Sequence, residues 1–177
     1  MTLHLLEIVP SAPSKDAAAQ LITAAAEAVA QAGAEVIESQ VTADHGRIFV
    51  IVEAEEAEGL AEAVRSAAGE AATEVTGPDA VRLVGAELEE LKKLKGDAQY
   101  LVEWDIPAEI TMEQYLERKK ANSPKYAQVP EVSFLRTYVR EDTAKCLCFY
   151  NAPDEASVER ARQAVGTPFD RLFKLNV

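Results

Sequence analysis

Two short segments with the same plan limit what this chain can fold into. Residues 3–10 read L-H-L-L-E-I-V-P and residues 100–107 read Y-L-V-E-W-D-I-P. Each is an apolar strand with a carboxylate in its middle and a proline at its end. After each comes the pattern of a helix, two strands, a second helix and a last strand. The later segments correspond as well. R-I-F-V-I-V-E-A-E-E (47–56) answers K-C-L-C-F-Y-N-A-P-D (145–154), and A-V-R-L-V (80–84) answers F-D-R-L-F (169–173). A regular internal match of this kind is the mark of a repeated supersecondary unit. The unit is βαββαβ, the ferredoxin-like split-βαβ arrangement, with strands one and three central and both helices on one face.

That arrangement leaves the second face of each sheet bare. A strand with one wet face alternates apolar and polar residues, but I-F-V-I-V and C-L-C-F-Y are apolar at both parities. Such runs belong to strands covered on both sides. The expected fold class is therefore α+β: tandem ferredoxin-like (βαββαβ) units, their antiparallel sheets packed face to face as an intramolecular pseudo-dimer. The expected domains are a first unit at 1–86, a linker helix at 87–98 and a second unit at 99–177.

Local signals place the elements. Ser14 is a candidate cap for an alanine-rich helix at 15–32, which Gly33 ends. Asp44-His45-Gly46 reads as the turn between strands at 35–42 and 47–54. A helix at 55–68 leads to a turn at Gly77-Pro78 and a strand at 80–84. Leu88, Leu91 and Leu94 form the apolar edge of a short helix at 87–95, which Gly96-Asp97 ends. In the second half, Thr111 is a candidate cap for a helix from 112 to about 121. Strands follow at 132–140 and 145–151, then a helix to about 165 and a strand at 171–176.

Composition excludes some functions. With 30 acidic against 18 basic residues, the net charge is −12. A nucleic-acid surface needs clustered Lys and Arg, so none is expected. No apolar run approaches the roughly 20 residues that cross a bilayer. The N-terminus M-T-L-H-L-L-E-I has no basic start or cleavage site, so the expected location is cytoplasmic. The two cysteines, Cys146 and Cys148, share one strand face and read as buried small apolar residues, with metal or redox use the alternative.

The candidate site comes from the leading strands. Glu7 and Glu103 hold equivalent positions, and Asp105 shares a face with Glu103. A carboxylate on a central strand is costly unless water, a cation or a basic side chain answers it. Glu7, Glu103 and Asp105 are therefore the candidate metal ligands, oxygen donors suited to a hard divalent metal ion as cofactor. Glu103, Asp105, Arg136, Tyr138 and Tyr150 are the candidate ligand-binding residues of a polar cleft between the two sheets. The alternative is a structural ion pair, with Arg82, Arg136, Arg171 and Lys174 as basic partners on strands.

The second half also carries a resemblance. V-E-W-D-I-P, F-L-R-T-Y-V-R-E-D, C-L-C-F-Y-N-A-P-D-E-A-S-V and D-R-L-F-K-L, between residues 99 and 177, resemble a ferredoxin-like family catalogued as a domain of unknown function. That family includes small nickel-binding dimeric proteins. The junction Y-N-A-P-D-E (150–155) is its best mark, and the first half looks like a diverged copy of the same unit. The resemblance implies the fold, a dimer-like pairing of units, and metal binding.

Three functions follow. The first is a non-enzymatic binding module for a small molecule or metal ion. The second is an α+β-barrel enzyme with Glu103 or Asp105 as general base, but no nucleophile–base pair stands in the sequence and no catalytic residue is assigned. The third is a protein-assembly module. Expected partners are a small molecule or metal ion, with a homo-oligomer compatible with the resemblance.

Overall fold

The computed structural model describes residues 2–94 and 97–175. Two compact units divide the chain, residues 2–81 with 88–94 and residues 82–87 with 97–175. Lys95 and Gly96, expected at the end of the short helix, and Asn176, expected in the last strand, lie outside the described residues.

The first unit runs β1 (Thr2–Pro10), α1 (Lys15–Gln31), β2 (Glu35–Val41), β3 (Ile48–Ala54), α2 (Leu60–Ala68) and β4 (Ala72–Val84), whose residues 82–84 are counted with the second unit, and α3 (Leu88–Leu94) follows. The second runs β5 (Tyr100–Asp105), α4 (Met112–Asn122), β6 (Ser133–Arg140), β7 (Lys145–Asn151), α5 (Glu155–Ala164) and β8 (Arg171–Lys174). Strand orders are β2-β3-β1-β4 and β6-β7-β5-β8. All described pairings within the units are antiparallel. Both units are thus ferredoxin-like, with strands one and three in the centre.

Caps start the helices, at Ser14 and Thr111 as the sequence suggests and also at Asp154. Ser14 accepts from the Ala17 amide at the head of α1. Thr111 and Gln114 form a reciprocal capping box on α4, and Asp154 accepts from the Ser157 amide on α5. Each satisfies helix N–H groups that have no partner inside the helix.

Two boundaries differ from the sequence reading. Helix α2 begins at Leu60 rather than 55, because Gly59 before it sits at φ 84, outside helical space. Strand β4 begins at Ala72, eight residues before the expected strand at 80–84. Gly77-Pro78 is a bulge inside it, where the β1 register slips between Leu5 and Glu7. A bulge is where a strand tolerates a residue that cannot donate to the ladder.

The helices of each unit cover one sheet face. Leu6, Ile8, Val50 and Val52 pack against Leu21, Val29 and Val64 in the first unit. Val102, Trp104, Cys146 and Cys148 pack with Tyr115, Val158 and Ala161 in the second. The faces turned away from the helices are also buried. Leu5, Phe49 and Ile51 in the first unit, and Leu101, Leu147 and Phe149 in the second, are at most 1% exposed. This accounts for the apolar residues at both parities of β3 and β7.

Candidate functional site

Glu103 lies in the middle of β5, paired with Leu147 on β7 and Arg171 on β8. Its side chain is fully buried. It accepts from the Arg171 Nε and, at 3.3 Å, from the Lys145 Nζ. Arg171 also forks onto Asp105, with Nη2 to Oδ1 at 2.6 Å and Nη1 to Oδ2 at 3.1 Å. That hydrogen-bonded fork holds the Asp105 carboxyl below its usual range. One guanidinium therefore ties both carboxylates of the strand together.

The other expected site residues divide between the two sheet faces. Arg136 and Tyr138 lie on the Glu103 side, because Tyr138 is opposite Leu147 in the ladder. The Arg136 guanidinium stacks 4.8 Å from the centre of the Phe149 ring, and Tyr138 meets that ring edge-on at 5.9 Å. Tyr150 projects from the opposite, helix-covered face of β7, one of the face of Cys146 and Cys148. Glu7 belongs to the first unit, where Arg47 Nη1 lies 3.5 Å from its Oε1.

A second group of polar side chains gathers under α4 and α5. Here lies a cavity of about 30 Å³, lined by residues that include Trp104, Tyr115, Tyr126, Cys146, Cys148 and Arg162. The Sγ atoms of Cys146 and Cys148 are 4.0 Å apart. The Thr137 hydroxyl donates to the Cys148 Sγ at 3.2 Å. Arg162, 3% exposed, donates from Nη1 to the Tyr150 hydroxyl at 3.1 Å and to the Cys148 Sγ at 3.6 Å, and from Nη2 to the Pro168 carbonyl at 2.6 Å. Its buried Nε has no hydrogen-bond partner among the described residues. The hydroxyls of Tyr126 and Tyr150 are 2.6 Å apart.

Electrostatics follow from this packing. Burial pushes the Tyr126 phenol up to about 12, and it raises Tyr115 and Tyr150 as well. The thiols move apart. Cys146 is raised, first by its hydrogen bond to Cys148 and then by burial. Cys148 is lowered, first by the bond from Cys146, against burial and with help from Lys119, Arg162 and Thr137. The pair is thus arranged to share one proton beside a buried guanidinium.

Of the residues expected at a site, only Tyr150 adjoins this cavity. Arg162 was missed, and Cys146 and Cys148 carried metal or redox use only as the alternative to buried apolar packing. The same-face C-x-C was visible, but which α5 residue faces it depends on how the helix docks.

The chain has counterparts among known proteins. Residues 100–175 match the family described as Nickel responsive protein SCO4226-like. The second half therefore resembles that family, as the Y-N-A-P-D-E junction suggested. The crystal structure of SCO4226 from Streptomyces coelicolor A3(2) aligns at 16% identity and TM-score 0.39, covering 45% of this chain and 98% of that one. A protein provisionally assigned as a chlorite dismutase, TA0507, aligns at 12% identity and TM-score 0.59, covering 100% of this chain and 96% of that one. This likeness shows the α+β fold alone. The siroheme decarboxylase NirDL aligns at 12% identity and TM-score 0.48, over 98% of this chain and 70% of that one. No curated protein matches the chain.

A resident nickel or other divalent ion does not fit the carboxylate group. Glu103 and Asp105 already hold the cation of Arg171, which a metal would have to displace. Among the described residues, no three His, Cys, Asp or Glu side chains converge as a metal site. Both histidines lie in the first half, His4 on β1 and His45 in the β2–β3 turn. No described helix is long and apolar enough to cross a membrane.

Proposed function

We propose that this chain is a non-enzymatic binding module that takes a small molecule or a metal ion into the cavity under α4 and α5. The observation that carries the reading is the Nε of Arg162, a buried guanidinium donor without an acceptor among the described residues, in a side chain that lines that cavity. A buried donor left unpaired costs about 1–3 kcal/mol, more when charged. A small molecule or anion that supplies an acceptor recovers that cost, and a metal ion does so through an anion or water bound to it. The cavity of about 30 Å³ is near the space of one water molecule. It suits a single ion, or one end of a small molecule entering past Arg118 and Lys119.

The similarity of the second half to a nickel-responsive family supports an ion as the ligand class. The absence of any histidine from the second half leaves Cys148 without an imidazole base, which favours binding over turnover.

A thermal-shift screen of the reduced full-length protein tests the reading. It uses Ni(II), Co(II), Zn(II), Cu(I), chloride, nitrate and phosphate, each on the wild type and on Arg162→Gln. Saturation at a hundred times Kd adds about 2.7 kcal/mol, a rise of several degrees for a chain of this size. The expected result is a rise with at least one probe that shrinks in Arg162→Gln. No rise with any probe, or the same rise in both proteins, refutes the proposal.

A further inference from the structure

Cys146 and Cys148 are the chain's two cysteines, at most 1% exposed, on the helix-covered face of β7. Their sulfurs are 4.0 Å apart, whereas a disulfide needs about 2.0 Å. Two steps of extended strand separate the Cα atoms by roughly 6.6 Å, near the far limit of disulfide geometry. Closing the gap would buckle β7, which is held in ladders by β5 on one side and β6 on the other. A bridging ion needs no such movement. With metal–sulfur bonds of about 2.3 Å, sulfurs 4.0 Å apart subtend about 120° at the ion. That is the angle of a three-coordinate ion and far from the straight line of a two-coordinate one.

Charge selects the kind of ion. Two thiolates carry two negative charges, and Arg162 is a buried cation bonded to Cys148. A monovalent ion brings the buried sum to zero, while a divalent ion leaves one positive charge with no partner in a dry site. Thiolate donors also prefer soft ions.

We infer that Cys146 and Cys148 form a site for a monovalent thiophilic ion of the Cu(I) class, with Arg162 as its buried counter-charge. The inference rests on the cavity reading and names its ligand. On uptake two sulfur–metal bonds form and each proton still on a sulfur passes to solvent, with no change of oxidation state. The described lining of the cavity holds no third cysteine, histidine or carboxylate, so the third position is left for a donor brought in with the ion.

The test is an anaerobic titration of the reduced full-length chain with Cu(I) against a Cu(I)-specific chelator, followed by the near-ultraviolet sulfur-to-copper band. One Cu(I) per chain is expected. Cys146→Ala and Cys148→Ala, first checked by circular dichroism for an intact fold, should each bind at least about a hundredfold more weakly, since even outer-shell losses reach that scale. Arg162→Gln keeps both sulfurs and should weaken Cu(I) by about ten- to a hundredfold. It should also strengthen Zn(II), because the buried sum is then zero with a divalent ion. Loss of structure alone would not reverse that preference. Undiminished binding in either cysteine variant, or an unchanged Cu(I) to Zn(II) ratio in Arg162→Gln, overturns the inference. Absence of Cu(I) binding together with an Arg162-dependent shift by another probe overturns the inference and leaves the cavity reading standing. No binding by any probe removes both.

Discussion

Replacing Arg171 with Met keeps most of the side-chain length and removes its charge. The fully buried carboxylate of Glu103 then retains Lys145, at 3.3 Å, as its described ion-pair partner. Asp105 also loses its fork. Removing one member of a buried pair costs about 3–5 kcal/mol because a desolvated charge is left behind. Here Arg171 itself is 38% exposed, so water screens the pair, and Lys145 remains. The expected loss is therefore about 2–3 kcal/mol, smaller than for a fully enclosed pair. For a chain of this length that lowers the melting midpoint by roughly 5–10 °C. Urea denaturation at pH 7 measures it, and the double variant with Glu103→Gln isolates the pair. With the carboxylate neutralised, Arg171→Met should cost at least about 1 kcal/mol less. The acid limb gives a second reading. Asp105 is depressed in the folded state, so its contribution is complete above the unfolded carboxyl value of about 3.9 and fades as pH falls through the lower folded value. The gap between wild type and variant should thus be constant near neutrality and narrow in acid. A loss below about 0.5 kcal/mol, or equal losses with and without Glu103→Gln, would show that the buried carboxylate does not depend on Arg171.

Three further outcomes follow from the structure. His4 is buried with no hydrogen-bond partner on either ring nitrogen among the described residues, and burial lowers its pKa. The unfolded chain therefore takes up the proton first, and stability should fall as pH drops below about 6.5. His4→Leu should flatten that slope in denaturation curves between pH 7 and 5, and an unchanged slope would assign it to other groups. Gly77 sits at φ 101, and a Cβ there would run into the Leu5 carbonyl oxygen. Gly77→Ala should lose about 1–3 kcal/mol by chemical denaturation, and near-neutrality would mean that β4 reshapes freely at the bulge. Thr111→Ala removes the hydroxyl of the capping box on α4 and should cost about 1 kcal/mol. No change would mean that α4 starts without it.

Much of this architecture was legible because it rests on local rules. Ser14 and Thr111 are short polar side chains ahead of helical runs, so they mark helix starts directly. The apolar residues at both parities of β3 and β7 announced strands with no wet face. The errors fell at glycines. Gly59 and Gly77 take positive φ, and a glycine in a string of letters does not say whether it ends an element or bends within one. The buried acid at Glu103 was also legible, since a carboxylate amid L-V-E-W must find a partner. Its partner was harder to choose, because four basic residues on strands were candidates and only the β5–β8 register puts Arg171 opposite it.

The order of residues was enough to indicate two βαββαβ units, the α+β class and the need for a counter-charge at Glu103. Those conclusions depend on periodicity and on the energy of desolvating a charge, and both can be read along one strand. Folding in three dimensions decided that Tyr150 stands on the other side of the sheet from Glu103, and that Arg162 reaches across from α5 to Cys148. A contact between a helix and a strand depends on the angle and depth of their packing, and no spacing along the chain records either.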